Sequence, residues 1–319
     1  MTMGSPADAR QTVAIVGAGA MGAGIAIACA RAGHPVRCFV RSDESRSKLF
    51  ERIGTALDVL VSADLAQPSE KDGIVERIRT APSIGEAVEG SALIVESVPE
   101  AVPLKLEILA AISDSCEESA VITTNTSSLD LAELEGAVAG PARFAGLHWF
   151  YPAELVEVVE IVAAPSTAPA VLDALQAFAE GIAKQVVRVK RPIPGFVVNR
   201  LQYALLREAH HLMAEGVCDA QDIDASLVAC LGPRWSATGP LESMDLAGLD
   251  VHLAVAQQLY PQLSAATEPH PRLVELVAKG DLGAKSGRGI CGGYDSVSVT
   301  KLFQRRAAAI RALRRAERT

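Results

Sequence analysis

The chain has 319 residues, 49% of them hydrophobic, and a formal net charge of −8. That length exceeds one average domain, so two domains are expected, with enough apolar material for a soluble globular core. Net acidity without a broad basic face argues against a nucleic-acid partner. No run is long enough to span a membrane, and no signal peptide is expected ahead of the first strand.

In chain order, the apolar run Val13–Val16 breaks into Gly17-Ala18-Gly19-Ala20-Met21-Gly22, and an alanine-rich helix follows at once. Strand, G-x-G-x-x-G and helix in that order are the fingerprint of a dinucleotide-binding βαβ unit. Gly17 must permit a tight turn, Gly19 must let backbone amides reach a pyrophosphate, and Gly22 must let helix and strand pack closely. The helix start then offers unpaired N–H groups and a positive dipole end to the phosphates.

A second strand is expected over 36–40, then a mostly helical, polar insertion over 45–84 that is longer than a simple crossover needs. Further strands are expected over 93–98, 120–124, 144–149, 156–162 and 185–189, with helices over 104–112 and 170–181. Alternating strands and helices predict a Rossmann-type, doubly wound and mainly parallel sheet. Lys190-Arg191-Pro192-Ile193-Pro194-Gly195 cannot continue regular structure, so the domain boundary is placed there, giving a nucleotide domain over 1–190 and a smaller domain over 191–319. The second domain reads all-helical: Leu201, Leu205 and Leu212 recur on one face, Asp219 and Asp222–Asp224 mark helix starts, and Gly239-Pro240 and Gly248 punctuate later helices. A last amphipathic helix carries Arg305, Arg306, Arg311, Arg314, Arg315 and Arg318 opposite Leu302, Ile310 and Leu313. Cys29, Cys38, Cys116, Cys218, Cys230 and Cys291 form no C-x-x-C, as expected of reduced core thiols in a cytoplasmic protein.

A βαβ unit names a cofactor class and leaves the reaction open. The next informative block is Gly146-Leu147-His148-Trp149-Phe150-Tyr151-Pro152, with Val158-Val159-Glu160-Ile161 after it. A histidine at the carboxyl end of a strand in an open α/β sheet stands where ligands bind. Its neutral ring can take an alcohol proton, and a carboxylate on the other ring nitrogen would fix the tautomer. On spacing alone, His148 is equally a buried and satisfied histidine, and Glu160 an outward-facing strand residue.

VGAGAMGAGIA, VESVPE (95–100), NTSSL (125–129), GLHWFYP (146–152), PGFVVNRLQ (194–202), TGPLESMDLAGLD (238–250) and LGAKSGRG (282–289) resemble, in order, the motifs of the 3-hydroxyacyl-CoA dehydrogenase family. NRLQYALLREA and its GPLE segment resemble in particular the L-gulonate 3-dehydrogenase and lambda-crystallin branch. The resemblance implies that His148 is the catalytic histidine and Glu160 its partner. Glu157 competes for that place, but three positions along a strand puts it on the opposite face. It further implies that Ser127 and Asn199 meet the substrate oxygen, and that Glu100, Lys105, Asn125 and Lys285 line the cofactor beside Gly17, Ala18, Gly19, Ala20, Met21 and Gly22. No metal is implied, and a homodimer through the helical domain is.

Three departures stand out. Tyr151 replaces the asparagine of the family's H-x-x-N-P, and Val40 replaces the acid expected after the second strand. Residues that grip coenzyme A align with small apolar ones near Ala56 and Ala63. An acid after the second strand repels a 2′-phosphate, whereas Arg41 and Ser42 offer it donors, so the cofactor is NAD(P) with a lean toward NADP(H). The expected activity is hydride transfer between that cofactor and C3 of a 3-hydroxy acid or 3-hydroxyacyl thioester. Two alternatives remain. A lysine-dependent β-hydroxyacid dehydrogenase would need a lysine where Asn199 and Arg200 stand, and a crystallin-like structural protein would bind cofactor without turnover.

Overall fold

The computed structural model describes residues 10–316, with side chains through 313. Two compact units meet after Val197. The first therefore runs past the break at residue 190 read from the prolines, because Phe196 is packed into its core and the Val197 amide bonds to Glu160.

The first unit is an eight-stranded sheet in the order β3-β2-β1-β4-β5-β6-β7-β8. Its strands are β1 (Val13–Val16), β2 (Val36–Phe39), β3 (Ile78–Ala81), β4 (Leu93–Glu96), β5 (Val121–Thr124), β6 (Phe144–Trp149), β7 (Val158–Ala163) and β8 (Gln185–Val189). Strands β3 through β6 run parallel, β7 turns antiparallel to β6, and β8 runs parallel to β7. The helices are α1 (Ala20–Arg31), α2 (Asp43–Ser62), α3 (Glu70–Glu76), α4 (Ile84–Val88), α5 (Val102–Ser115), α6 (Leu131–Glu135) and α7 (Pro169–Gly181). β1 and β4 are fully buried apolar strands, as an interior parallel sheet demands.

The insertion expected to be mostly helical over 45–84 also contains strand β3, which the sequence reading did not place. Ile78 and Ala81 are buried while Arg79 is exposed, and that charge with its polar flanks masked a four-residue strand. α2 is amphipathic in the ordinary way: Leu49, Ile53, Leu57 and Leu60 fall on one buried face. Leu57, Leu60 and Ala63 are therefore core residues rather than a surface offered to a ligand.

The second unit is helical, with α8 (Val198–Ala214), α9 (Ala220–Ser226), α10 (Gly232–Ala237), α11 (Pro240–Ala247), α12 (Leu249–Leu259), α13 (Pro271–Ala278) and α14 (Ser296–Ala316). Asp219 caps α9 by accepting from the amides of Gln221 and Asp222. Among the described residues, its buried apolar side chains are Ile223, Leu276 and Ala307. Leu201 and Leu205, expected to line an internal face, are exposed in the single chain. α14 carries Arg305 and Arg306 outward, but Leu302 and Leu313 are exposed as well. The Arg314 and Arg315 side chains and all of Arg318 lie outside the described residues.

All six cysteines are free, and only Cys29 and Cys38 are core residues; Cys230 and Cys291 are exposed. Burial pushes the thiols of Cys29 and Cys38 up to about 12, which keeps them protonated and inert.

Candidate active site

The glycine turn sits at the carboxyl end of β1, where the sheet order reverses between β1 and β4. The Ser97 amide donates to the Val16 carbonyl there, drawing the two strand ends together. Gly17 adopts φ +126°, and a Cβ on it would lie 2.4 Å from the Ser97 carbonyl oxygen. A Cβ on Gly22 would lie 1.8 Å from the Gly17 carbonyl oxygen. Nothing lies within 4 Å of a Cβ built on Gly19, and no side chain caps the start of α1. A tight turn, a close helix–strand approach and open space before free helix N–H groups are what a dinucleotide diphosphate requires, so these residues fit an NAD-type cofactor. Arg52 of α2 reaches the same turn, donating to the Ala18 carbonyl at 3.3 Å.

At the carboxyl end of β6, the antiparallel register sets His148 directly opposite Glu160 of β7. Residues paired across a ladder share one face, so the two side chains meet. His148 Nδ1 lies 2.7 Å from Glu160 Oε2, and both side chains are buried. An ionised carboxylate can only accept, so Nδ1 carries a proton, and in the neutral ring it is Nε2 that offers the lone pair. Glu160 Oε1 accepts from the Val197 amide at 2.9 Å. Glu157 precedes β7, and its carbonyl accepts from the Gln185 amide.

Two aromatic rings hold the imidazole edge-on, Phe150 at 4.4 Å and Phe196 at 5.5 Å between centroids. Phe196 is a non-glycine residue at φ +45°, reached through Gly195 at φ +79°. Such a backbone costs about 1–3 kcal/mol and persists only where its surroundings hold it. Here burial of the ring against His148 and the Val197–Glu160 bond do so.

Glu100 organises the turn after β5. Its Oε1 accepts from Thr126 Oγ1 (2.6 Å), the Ser127 amide (2.9 Å) and hydroxyl (3.2 Å), and the Ser128 amide (3.2 Å) and hydroxyl (3.4 Å). Burial raises the Glu100 pKa, but these donors and the Lys105 cation outweigh it and hold the carboxyl below its ordinary value. Asn125 ties three strand ends: its Oδ1 accepts from the Trp149 amide (2.8 Å), and its Nδ2 donates to Ser97 Oγ (3.3 Å). The N-cap of the next helix, α6, is Asp130, so the Ser127 hydroxyl is not used as a cap.

Lys105 is almost fully buried and donates to both oxygens of Glu96, at 2.8 and 2.9 Å. Ser42 is engaged as the N-cap of α2, accepting from the Ser45 amide, while Val40 is buried at the end of β2 and Arg41 is exposed. Asn199 lies in the first turn of α8 and Lys285 in a 3₁₀ turn (Ala284–Ser286), both in the helical unit. Sequence reasoning missed Glu96, Thr126, Phe150 and Phe196. A lone carboxylate closing the apolar run of β4 was a signal for Glu96, and Pro194-Gly195 a signal for an unusual backbone at Phe196.

Set beside known proteins, residues 12–192 match the model described as 3-hydroxyacyl-CoA dehydrogenase, NAD binding domain, and residues 195–292 match that of the C-terminal domain. The chain belongs to the 3-hydroxyacyl-CoA dehydrogenase family. It is 32% identical over 306 residues to the 5-formyl-3-hydroxy-2-methylpyridine 4-carboxylate 5-dehydrogenase of Mesorhizobium japonicum, covering 96% of this chain and 97% of that one. It is 34% identical over 288 residues to a 3-hydroxybutyryl-CoA dehydrogenase of Mycobacterium tuberculosis, covering 88% and 98%. A crystal structure of a 5-formyl-3-hydroxy-2-methylpyridine 4-carboxylic acid 5-dehydrogenase, described as an NAD⁺-dependent dismutase, superposes with a TM-score of 0.87 at 31% identity, covering 97% and 98%. As a member of this family, the protein is an NAD-dependent dehydrogenase of the 3-hydroxyacyl-CoA type. No helix among the described residues is long and apolar enough to cross a membrane.

Proposed function

We propose that the enzyme interconverts the C3 hydroxyl and carbonyl of a small 3-hydroxy acid or its thioester, with His148 as general base and acid. The buried pair of His148 and Glu160, set face to face by the β6–β7 register, carries this reading. In oxidation His148 Nε2 takes the alcohol proton, and the anionic Glu160 on Nδ1 stabilises the imidazolium. Ser127 hydrogen-bonds the substrate oxygen and orients C3, and the family resemblance gives Asn199 the same partner. The chemistry supplied by a bound nicotinamide is uptake or return of the hydride at C3. Residues 17–22 would hold its diphosphate, with Glu100 and Asn125 beside it and Lys285 given the same place by the family resemblance; Lys105, expected to line the site, is buried behind Glu100 and reaches it only through that carboxylate. In reduction His148 returns the proton.

NAD(H) is the proposed cofactor. The lean toward NADP(H) finds no support in the relatives, and Ser42 is already engaged as a helix cap, which leaves Arg41 alone for a 2′-phosphate. Free 3-oxo acids are proposed to be better substrates than coenzyme A thioesters. Lys48 is paired with Glu44, Lys71 with Asp58, and Arg52 donates to the Ala18 carbonyl, so three cations on or beside α2 already have partners. The named substrate of the Mesorhizobium relative is itself a free carboxylate, and the narrower likeness to the L-gulonate 3-dehydrogenase branch points the same way. The exposed apolar helices of the second unit, including Leu201, Leu241, Leu246 and Leu253, are proposed to be covered by a second copy in a cytoplasmic homodimer.

Steady-state kinetics with NADH test the reading, using acetoacetate and acetoacetyl-CoA as substrates. Glu160→Gln should slow turnover strongly and Glu157→Gln should leave it near wild type. The reverse ranking would remove Glu160 from the mechanism. A kcat/KM of about 10⁶ M⁻¹s⁻¹ or more for the thioester, with no activity on the free acid, would overturn the substrate preference.

A further inference from the structure

Glu96 and Lys105 form an ion pair with side chains 0% and 1% exposed, yet the catalytic scheme uses neither of them on substrate. Burying two charges costs desolvation, and an apolar pair of similar volume would pack at least as well. Stability alone is therefore a poor reason for the pair, and its place in the fold suggests another. Glu96 closes β4 at the carboxyl edge of the sheet, one strand from the glycine turn. Its Oε1 accepts from the Val98 amide at 2.7 Å, and its Oε2 accepts from Thr124 Oγ1, at the end of β5, at 2.5 Å. Thr124 Oγ1 in turn accepts from the Thr126 amide at 3.3 Å.

Lys105 extends the connection outward. Its Nζ donates to the Val98 carbonyl at 3.3 Å and lies 3.5 Å from Glu100 Oε2. The other oxygen of Glu100 gathers the donors of residues 126–128. A single cation thus stands between two carboxylates, and its removal would leave Glu96 and Glu100 repelling each other. The line from Glu96 through Lys105 and Glu100 to the Ser127 turn is continuous, and every link lies within the first unit.

We propose that Glu96 is a positioning residue: through Lys105 it fixes the Glu100 carboxylate, and Glu100 fixes the Ser127 hydroxyl and the 126–128 turn for catalysis. The inference rests on the reading that Ser127 meets the substrate oxygen. Preorganisation of this kind matters because small misplacements of an orienting group cost rate without touching the base itself.

The test uses the full chain and the variant Glu96→Gln/Lys105→Met, which removes both charges together and leaves neither buried alone. In the cofactor-free protein, hydrogen exchange at the Ser127 and Ser128 amides should speed up about tenfold or more, while β1 and β6 keep wild-type protection. With NADH and the better of acetoacetate and acetoacetyl-CoA, kcat should fall roughly 10- to 100-fold. The acid limb of kcat/KM should move to higher pH, because Glu100 loses the cation that favours its ionised form. Should the double variant fail to fold, Thr124→Val removes one donor from Glu96 without changing charge and should move the same amides by a smaller factor. Wild-type exchange at Ser127 and Ser128, in whichever variant folds, would overturn the proposal. Full turnover in His148→Ala would instead overturn the catalytic reading while leaving the exchange result intact.

Discussion

The two units of the chain solve burial differently. In the nucleotide-binding unit, β1, β4 and β6 are closed on both faces, and even polar groups such as Glu96, Lys105 and Thr124 are buried with partners. In the helical unit, α8, α11 and α12 have no buried residue, and Leu241 and Leu246 are about three-quarters exposed at 76% and 75%. A chain alone buries the apolar side chains of the first unit and leaves many of those of the second exposed. The buried His148–Glu160 pair lies in the unit with its own core, and the contrast is the physical ground for the proposed second copy against the helices.

The largest stability effect should follow from breaking the buried pair on one side only. Lys105→Met leaves Glu96 buried without its cation and should cost about 3–5 kcal/mol in urea unfolding. Leu253→Ala, on an exposed helix, should change stability by no more than about 0.5 kcal/mol in dilute protein, with a larger loss as concentration rises and the second copy binds. A concentration-independent Leu253→Ala effect, with a single species at all concentrations in sedimentation, would break the comparison.

A smaller effect separates the two ends of the cofactor site. Wild-type enzyme should have a clearly lower KM for NADH than for NADPH, and Arg41→Gln should scarcely change either, because Arg41 lies exposed beside a cap already in use. A strong NADPH preference lost in Arg41→Gln would restore the 2′-phosphate reading. The smallest effect is the pH response of the Ser127 turn. Glu100 is held below its ordinary value of 4.5 in the fold. Its contribution is thus present above the unfolded value and lost as pH falls through the lower folded one. Amides of residues 126–128 should lose exchange protection in that acid window before β1 and β6 do; simultaneous loss would place the turn and the core in one unit.

Much of the nucleotide unit was legible in the sequence because its signals are local. Val13–Val16 with Gly17, Gly19 and Gly22 carries the strand, the turn and the helix in ten residues. β3 was not legible, since Arg79 and its neighbours give the segment a polar average that only pairing with β2 overcomes. Sequence spacing left His148 and Glu160 with an even alternative, and the antiparallel register decides their contact because partners across a ladder share a face. Glu96 and Phe196 were hidden for a different reason. Their roles depend on contacts from β5, α5 and the Gly195 turn that no local pattern encodes. In the helical unit, the periodicity of Leu201, Leu205 and Leu212 puts these residues on one face of α8, yet Leu201 and Leu205 are exposed, and spacing says nothing of what covers them.

The central claim is that the imidazole held by Glu160 moves the proton while the glycine turn holds the cofactor independently. Turnover and NADH affinity, measured together in His148→Ala, test it most directly. The account predicts a kcat lower by about 10²–10⁴-fold with a Kd for NADH close to wild type. Near-normal turnover, or a loss explained by failed NADH binding, would contradict it.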